Sequence, residues 1–467
     1  MLAEYPYLRS LKLAQITVRG VSDSIRLWLR SRCPLTRSES LPSSLLSATA
    51  VRRTALGVLL FCTLVSAISR GVSESFAVFL LPITQEFNSD RAATTASYSI
   101  FMIALGVMSP IAGTIFDRLG ARLCYSIGLL VMGSAYLIAS QASALWHLYF
   151  STGLGGAIGV AMVGMLPASS LVSRWFHKKL TTALGVISAS LGTGLIVFSP
   201  LIQWLIDHFG WRVSFQLLGA LLLAIMLGIQ FLPWLNMTRG SPENIATHAE
   251  RTMQGVRWTL RQATGTLVFW ALFWVMFFTS VSTYAVTVQL VAYLVHCGLS
   301  PIQAATIYGV AGMASIAGII VSSILAEKMG ELRVAIISYG LSIAGLVALA
   351  LVSQTPSIAV IAVFILLFGT MQGSRGPLVA VLSTRNFAGG RQTGIYGSVL
   401  LGMGLGGALG SWGSGYLYDL TGGYLASFVF SAFGAVCGLL IFVTVPALGG
   451  GLKRKPLPSM AHTNKGQ

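Results

Sequence analysis

The stretch Gly113-Thr-Ile-Phe-Asp117-Arg118-Leu-Gly120-Ala-Arg122 lies between two long apolar runs. About 210 residues later, Ser323-Ile-Leu-Ala-Glu327-Lys328-Met-Gly330 keeps the acid, the base and the glycine at the same spacing. Further landmarks repeat at a similar offset: Arg174-Trp-Phe176 and Arg385-Asn-Phe387, then Asp207 with Gly210 and Asp419 with Gly422. The chain therefore consists of two similar halves rich in apolar runs, and such an internal repeat is typical of secondary transporters.

Composition places the chain in a membrane. It is 55% apolar and 9% charged, whereas soluble proteins are about 25% charged. Because about 20 apolar residues cross a bilayer as a helix, we predict an all-α polytopic membrane protein with two pseudo-symmetric six-helix bundles. Its twelve transmembrane helices, here called spans 1 to 12, are predicted at 54–82, 94–115, 123–140, 145–172, 182–206, 212–235, 265–296, 301–326, 332–353, 357–384, 392–417 and 424–446.

The placement of positive charge predicts the topology. Nine of the 30 Lys and Arg residues precede residue 54, and most others lie in the loops after the even-numbered spans. The opposite loops carry only Arg91 and Arg212. This asymmetry predicts that both termini are cytoplasmic. The net charge of +17 then reflects topology and contact with the anionic lipid bilayer, not nucleic-acid binding.

The predicted spans divide the chain into five segments. A basic cytoplasmic tail comes first and is followed by two bundles. For the first 50 residues of this tail four interpretations stay open: an interfacial helix, a targeting segment, a disordered tail or an extension outside the native protein. The predicted bounds are 1–53 for this tail, 54–235 for the first bundle, 236–264 for the cytoplasmic loop between the bundles, 265–446 for the second bundle and 447–467 for the cytoplasmic C-terminal tail.

Motifs for catalysis are missing from the sequence. The glycines of Gly402-Met-Gly404-Leu-Gly406-Gly407 fit a dinucleotide pattern, but they lie inside span 11 with no strand before them. Small residues at this spacing let membrane helices approach closely. The sequence has no phosphate-binding Gly-Lys-Ser/Thr loop, and its five cysteines show no metal-ligand spacing. We therefore expect no enzyme, no cofactor, no metal and no direct use of ATP.

The loop after span 2 carries a family resemblance. Its Gly113, Asp117, Arg118, Gly120 and Arg122 match Gly-x-x-x-Asp-Arg-x-Gly-x-Arg, the signature of the major facilitator superfamily. Other stretches resemble the monocarboxylate and oxalate/formate branch in bacterial form: Phe76-Ala-Val-Phe-Leu80 with Glu86-Phe87, Arg174-Trp-Phe-His-Lys-Lys179, Gly210-Trp-Arg212 and Tyr416-Leu-Tyr-Asp419. The resemblance implies a multi-pass protein of the bacterial inner membrane, which we expect to be a monomer.

The same resemblance assigns gating to the loop charges. Asp117 at the end of span 2 could pair with a neighbouring base and hold the halves in one conformation, or it could be a solvated charge worth little. We call the five residues with this expected role the gating residues: Asp117, Arg118, Arg122, Glu327 and Lys328.

Charges inside spans point to the substrate, because they are costly in a bilayer. Away from loops and span ends these are Arg70, Glu74 and Arg375, on spans 1 and 10. The resemblance implies that spans 1, 4, 7 and 10 line the central cavity, so the guanidinium groups of the two arginines could bind a carboxylate between them through paired hydrogen bonds. Alternatively, Arg70 and Glu74, four residues apart, form an internal ion pair. We add Tyr284 and Gln372 as substrate-binding candidates, because they are polar residues on spans 7 and 10.

One departure from the branch concerns its known basic residues. The branch carries a substrate-binding Arg in helix 8, and its oxalate members a Lys in helix 11, but spans 8 and 11 here contain neither residue type. The anion site must then be built through Arg70 and Arg375, or the substrate is not a simple carboxylate.

The leading interpretation is uptake of a small organic anion, a monocarboxylate, by proton symport. Glu74 is the only acid within a predicted span, so it is the expected proton carrier. Proton-coupled efflux of drugs or metabolites, and uptake of a larger or neutral solute such as a vitamin, stay open as alternatives. A membrane sensor or scaffold would need a signalling domain, which neither tail provides.

Overall fold

The computed structural model describes residues 48–176, 180–240, 258–387, 392–445 and 448, and the described residues from 54 onward form one compact unit. These described residues contain helices and no strand, which confirms the predicted all-α class. In chain order the helices are Ala48–Glu74, Phe76–Glu86, Arg91–Ala139, Leu145–Leu148, Tyr149–Gly155, Gly156–Val163, Met165–Val172, Leu180–Gly228, Ile229–Phe231, Trp234–Arg239, Leu260–Thr264, Leu267–Thr287, Leu290–His296, Pro301–Met329, Glu331–Val352, Ile358–Phe364, Ile365–Gly369, Arg375–Asn386, Gln392–Thr421 and Leu425–Thr444.

Nine helices in the described ranges are long and apolar enough to cross a membrane. Two of them, Arg91–Ala139 and Thr182–Phe231, have 49 and 50 residues, far more than the roughly 20 that one crossing needs. Each contains a glycine in the left-handed region, Gly120 at φ 79° and Gly210 at φ 78°. Glycine adopts this φ without steric cost, so each long helix is two spans joined at a sharp corner.

These corners correct the predicted loops and support the predicted count. We expected several loop residues between spans 2 and 3, whereas the chain turns at the single Gly120. Span 10 is divided into Ile358–Gly369 and Arg375–Asn386, although the sequence predicted one continuous helix. The nine long helices of the described ranges include two that each form two spans, and the divided span 10 is not among the nine, so the structure is consistent with twelve spans.

The sequence repeat is also a structural repeat. Gly120 (φ 79°, ψ 168°) and Gly330 (φ 88°, ψ 154°) have nearly the same backbone conformation in the two signature loops. Gly210 and Gly422 likewise share a positive φ, 78° and 68°. Spans 4 and 10 each contain a π-helical segment, Tyr149–Gly155 and Ile365–Gly369. The two halves, spans 1–6 and spans 7–12, therefore repeat local geometry as well as residues.

The glycines of span 11 lie where other helices approach closely. A Cβ atom on Gly402 would lie 2.5 Å from the carbonyl oxygen of Phe273, and one on Gly404 would lie 2.6 Å from that of Met102. These backbones belong to span 7 and to span 2 of the other half. The prediction that these glycines serve helix packing is confirmed.

The outer surface of the bundle is apolar. Large side chains such as Leu64, Leu130 and Val197 are about half exposed, which fits contact with lipid. Two charged side chains of the membrane spans, those of Glu74 and Arg375, are instead buried in the interior.

Candidate functional site

Span 6 is interrupted near its end, at residues 232–233. Further interruptions of the helix occur in spans 1, 4, 7 and 10, the four that the resemblance assigned to the central cavity. They fall at Ser75, Gly164, Gln289 and residues 370–374. Spans 8, 9, 11 and 12 each run as a single helix. Broken helices near the middle of a transporter free backbone groups to bind substrate or ions, so these breaks mark the interior to search.

The break in span 1 comes directly after Glu74. The backbone N–H of Val78 donates to the carbonyl of Ser75 at 3.0 Å, whereas an unbroken helix would direct it to Glu74. The Ser75 hydroxyl donates to the Gly71 carbonyl at 2.6 Å, and its oxygen lies 3.1 Å from the Ser199 hydroxyl of span 5. The carbonyl of Glu74 is therefore free for a partner outside its own helix.

Arg70 and Glu74 form a buried ion pair beside this break. One guanidinium nitrogen of Arg70 lies 2.9 Å from Glu74 Oε1, and the exposed fractions of the two side chains are 20% and 6%. The internal pair that the spacing suggested is therefore present in this conformation, while substrate binding by Arg70 and proton coupling by Glu74 stay predictions. Arg70 still has donor capacity, since its Nε is buried without a hydrogen-bond partner in the described structure.

Three tyrosines surround the pair. Tyr98 of span 2 donates its hydroxyl to Glu74 Oε2 at 2.5 Å, and Tyr308 of span 8 donates to the Glu74 carbonyl at 2.8 Å. The ring of Tyr284 in span 7 lies 5.9 Å from that of Tyr98. The structure thus brings the predicted Tyr284 to the Arg70–Glu74 pair and adds two tyrosines that the sequence analysis missed. A tyrosine inside an apolar span needs a polar partner, and this signal could have identified both.

The structure gives Arg375 different neighbours. Its side chain is 1% exposed, Nε donates to Ser338 Oγ at 3.3 Å, and one terminal nitrogen donates to the Ser338 carbonyl at 2.9 Å and to Ser342 Oγ. The guanidinium carbon also lies 4.0 Å from the ring centroid of Tyr339. All these groups belong to span 9, outside the four cavity spans. Substrate contact by Arg375 stays a prediction. In this conformation its guanidinium group is bound to span 9 and does not form the expected arrangement of two guanidinium groups facing each other.

Gln372 lies in the non-helical turn that divides span 10. It is partly buried, and its backbone N–H donates to the carbonyl of Gly369 at 3.4 Å. Span 8 approaches this turn closely, because a Cβ on Gly318 would overlap the Thr370 carbonyl. The turn therefore packs against span 8, inside the second half.

At one end of the bundle, hydrogen bonds join the two halves. Asp419, at the end of span 11, accepts the backbone N–H groups of Arg91 and Ala92 at 3.0 and 2.8 Å. Arg91 also donates to Gln289 of span 7 at 3.2 Å and stacks 4.5 Å from the ring centroid of Tyr418. We call this the Asp419 end; the halves are closed against each other there.

At the opposite end, which we call the Asp117 end, the gating residues are exposed. Ion pairs in the described ranges join Arg70 to Glu74, Arg212 to Glu86 and Arg385 to Glu331, and none includes a gating residue. Arg122 donates to Gln230 at 3.0 Å within its own half. Their gating role stays a prediction.

Comparison with known proteins identifies the class. Residues 59–400 match the Major Facilitator Superfamily. The chain belongs to this superfamily of membrane transporters, and it is not an enzyme.

Individual relatives place the chain near the monocarboxylate branch. It is 29% identical over 384 residues to monocarboxylate transporter 13 of Rattus norvegicus, covering 82% of this chain and 86% of that one. It is 26% identical over 410 residues to the uncharacterized MFS-type transporter YcxA of Bacillus subtilis (strain 168), covering 83% and 95%. A crystal structure of the nucleoside transporter NupG shares the fold with a TM-score of 0.65 at 14% identity, covering 84% and 99%.

Proposed function

We propose that this protein takes up a small organic anion, a monocarboxylate, together with a proton, across a bacterial inner membrane with both termini cytoplasmic. The relatives named as monocarboxylate transporters support this substrate class. The single observation that carries the proposal is the buried Arg70–Glu74 pair at the break of span 1.

The pair supplies both a charge for the anion and a site for the proton. Without substrate, the guanidinium and the carboxylate neutralise each other at 2.9 Å. A carboxylate that binds Arg70 replaces Glu74 as its partner, and the buried Glu74 then avoids an unpaired charge by taking a proton. One anion and one proton enter together, so the site returns to neutrality with no net charge moved. Neutrality matters because unpaired charge inside a membrane is costly.

The surrounding side chains support a small substrate. Tyr98 of the first half and Tyr284 of the second lie next to each other at the Arg70–Glu74 pair, with ring centroids 5.9 Å apart, where they could bind the polar part of the anion. Gln372, in the turn of span 10, is the residue of the second half that we propose completes the site. Closure at the Asp419 end fits a conformation in which this site is reached from the Asp117 end, as alternating access requires.

Uptake by purified protein in vesicles tests the proposal. A labelled monocarboxylate should accumulate when the outside is acidified, and a proton uncoupler should abolish the accumulation. A panel of carboxylates, neutral solutes and cationic drugs defines the substrate. Accumulation that survives the uncoupler, or export only, would contradict proton symport.

A further inference from the structure

The carbonyl freed by the break in span 1 is bound by the other half of the molecule. Tyr308 belongs to span 8, is 4% exposed, and donates its hydroxyl to the Glu74 carbonyl at 2.8 Å. Its partner is the backbone of the same residue whose carboxylate binds Arg70 and Tyr98. Glu74 is thus held by spans 1, 2 and 8 at once.

We propose that Tyr308 is a positioning residue that couples protonation of Glu74 to the contact between the two halves. The inference rests on the proposed function and names how that site regulates the halves. It assigns Tyr308 no contact with substrate. The hydroxyl holds the broken segment of span 1 in place while the halves are closed at this level, and its release accompanies their separation.

The neighbours of Tyr308 make this contact sensitive to movement of the halves. A Cβ on Gly309 would lie 2.9 Å from the Cα of Ile196, and one on Gly312 would lie 2.6 Å from the Leu195 side chain. Span 8 therefore lies directly against span 5 of the other half within a turn of Tyr308. Separation of these two spans must move the tyrosine hydroxyl away from the Glu74 carbonyl.

The carboxylate side of Glu74 completes the coupling. The charged and titratable groups that face it are Arg70 of span 1, Tyr98 of span 2, Tyr284 of span 7 and Tyr308 of span 8, while Tyr136 of span 3 lines the same small cavity as Ser73 and Tyr98. Hydrogen bonds to a charged group are stronger than those to a neutral one. Protonation of Glu74 weakens its bonds to Arg70 and Tyr98, which both lie in the first half, so its own half holds the broken segment less firmly while the bond to Tyr308 still ties that segment to the second half.

Tyr308→Phe removes the hydroxyl and keeps the ring. Tyr293→Phe is a matched control, because Tyr293 is 3% exposed and also donates to a backbone carbonyl, that of Leu349 at 2.7 Å, but within its own half. For both variants we would measure the ratio of proton-driven anion accumulation to anion exchange and the pH profile of exchange, at equal protein level and with thermal stability recorded. Neither readout should respond to a loss of packing alone.

Tyr308→Phe should reduce proton-driven accumulation about five-fold relative to exchange, which corresponds to about 1 kcal/mol for a neutral hydrogen bond, and shift the pH profile. Tyr293→Phe should do neither. If the two variants agree in ratio and profile while Glu74→Gln abolishes proton-driven accumulation, the role of Tyr308 is wrong and the proposed function stands. If Glu74→Gln accumulates the anion like wild type, both are wrong.

Discussion

Arg70 in the first half and Arg375 in the second occupy cavity spans of a repeated fold, but their surroundings differ. Arg70 has a carboxylate at 2.9 Å, an unpartnered Nε and a side chain that is 20% exposed. Arg375 is 1% exposed, and its partners on span 9 are neutral oxygens and one aromatic ring. A paired and partly exposed arginine can exchange its partner for a ligand, whereas an enclosed one ties two helices together.

The same asymmetry recurs at the repeated aspartates. Asp419 reaches the other half and accepts two backbone N–H groups at the start of span 2. Its counterpart Asp207 accepts a hydrogen bond from Gln203, one turn earlier in its own helix, at 2.8 Å. Sequence repetition therefore indicates equivalent positions, while the partners decide what each residue does.

The largest expected effect is that of Arg70→Ala. It removes the proposed anion partner, and truncating one partner of a buried, hydrogen-bonded charge pair in a binding site costs about 2–5 kcal/mol of binding free energy, so anion affinity should fall by about thirty-fold or more. Competition against labelled substrate in exchange measures the affinity. Arg375→Ala is the matched variant; equal losses of affinity in the two variants, with both proteins folded, would remove the distinction between the arginines.

Arg375→Lys should act on stability and not on binding. The ammonium keeps the charge but cannot reproduce the bonds to both Ser338 and Ser342, so the free energy of unfolding should fall by roughly 1.5–3 kcal/mol, the range for a hydrogen bond to a charged group. Thermal unfolding in detergent measures the stability, and anion affinity should stay within a few-fold. Weaker anion binding with unchanged stability would instead favour the sequence-based prediction that Arg375 binds the carboxylate of the substrate.

Asp419→Asn should open the Asp419 end more often. The variant loses a negative charge at the start of a helix, which contributes about 0.3–1 kcal/mol, so the closed population should fall by a few-fold at most. Distances between spin labels placed on spans 2 and 11 near this end report the shift. Asp207→Asn is the control and should leave the distances unchanged; a similar shift in both variants would show that the contact across the halves has no special role.

The smallest effect is expected for Asp117→Asn. Because Asp117 is exposed and has no ion pair in this conformation among the described residues, the substitution acts on the other conformation, in which Asp117 would pair with a neighbouring base. Turnover should slow by a few-fold, as for a surface pair, with affinity nearly unchanged. A selective loss of affinity at normal turnover would rule out gating and indicate a contact with substrate.

Much of this architecture could be predicted from the sequence, because apolar length and charge placement depend on the bilayer alone. The helical class, the repeated signature and the packing role of the span 11 glycines are confirmed. The i, i+4 spacing also predicted the Arg70–Glu74 pair, since residues four apart share a helix face.

The rest depended on tertiary contacts. The sequence shows Arg375 without a partner on its own helix, but its partners Ser338 and Ser342 lie on another span. The role of Tyr308 depends on a carbonyl freed at Ser75, where neither proline nor glycine marks a break. Corners such as Gly120 differ from the predicted loops because one left-handed glycine can replace several loop residues.

The central claim is that Glu74 carries the proton that accompanies the anion. Simultaneous recording of proton and anion fluxes into vesicles, for wild type and Glu74→Gln, tests it most directly. We expect wild type to take up one proton per monocarboxylate, and Glu74→Gln to exchange the anion at a rate independent of pH without proton uptake or accumulation against a gradient. One proton per anion in Glu74→Gln, with the same pH dependence as wild type, would contradict the claim.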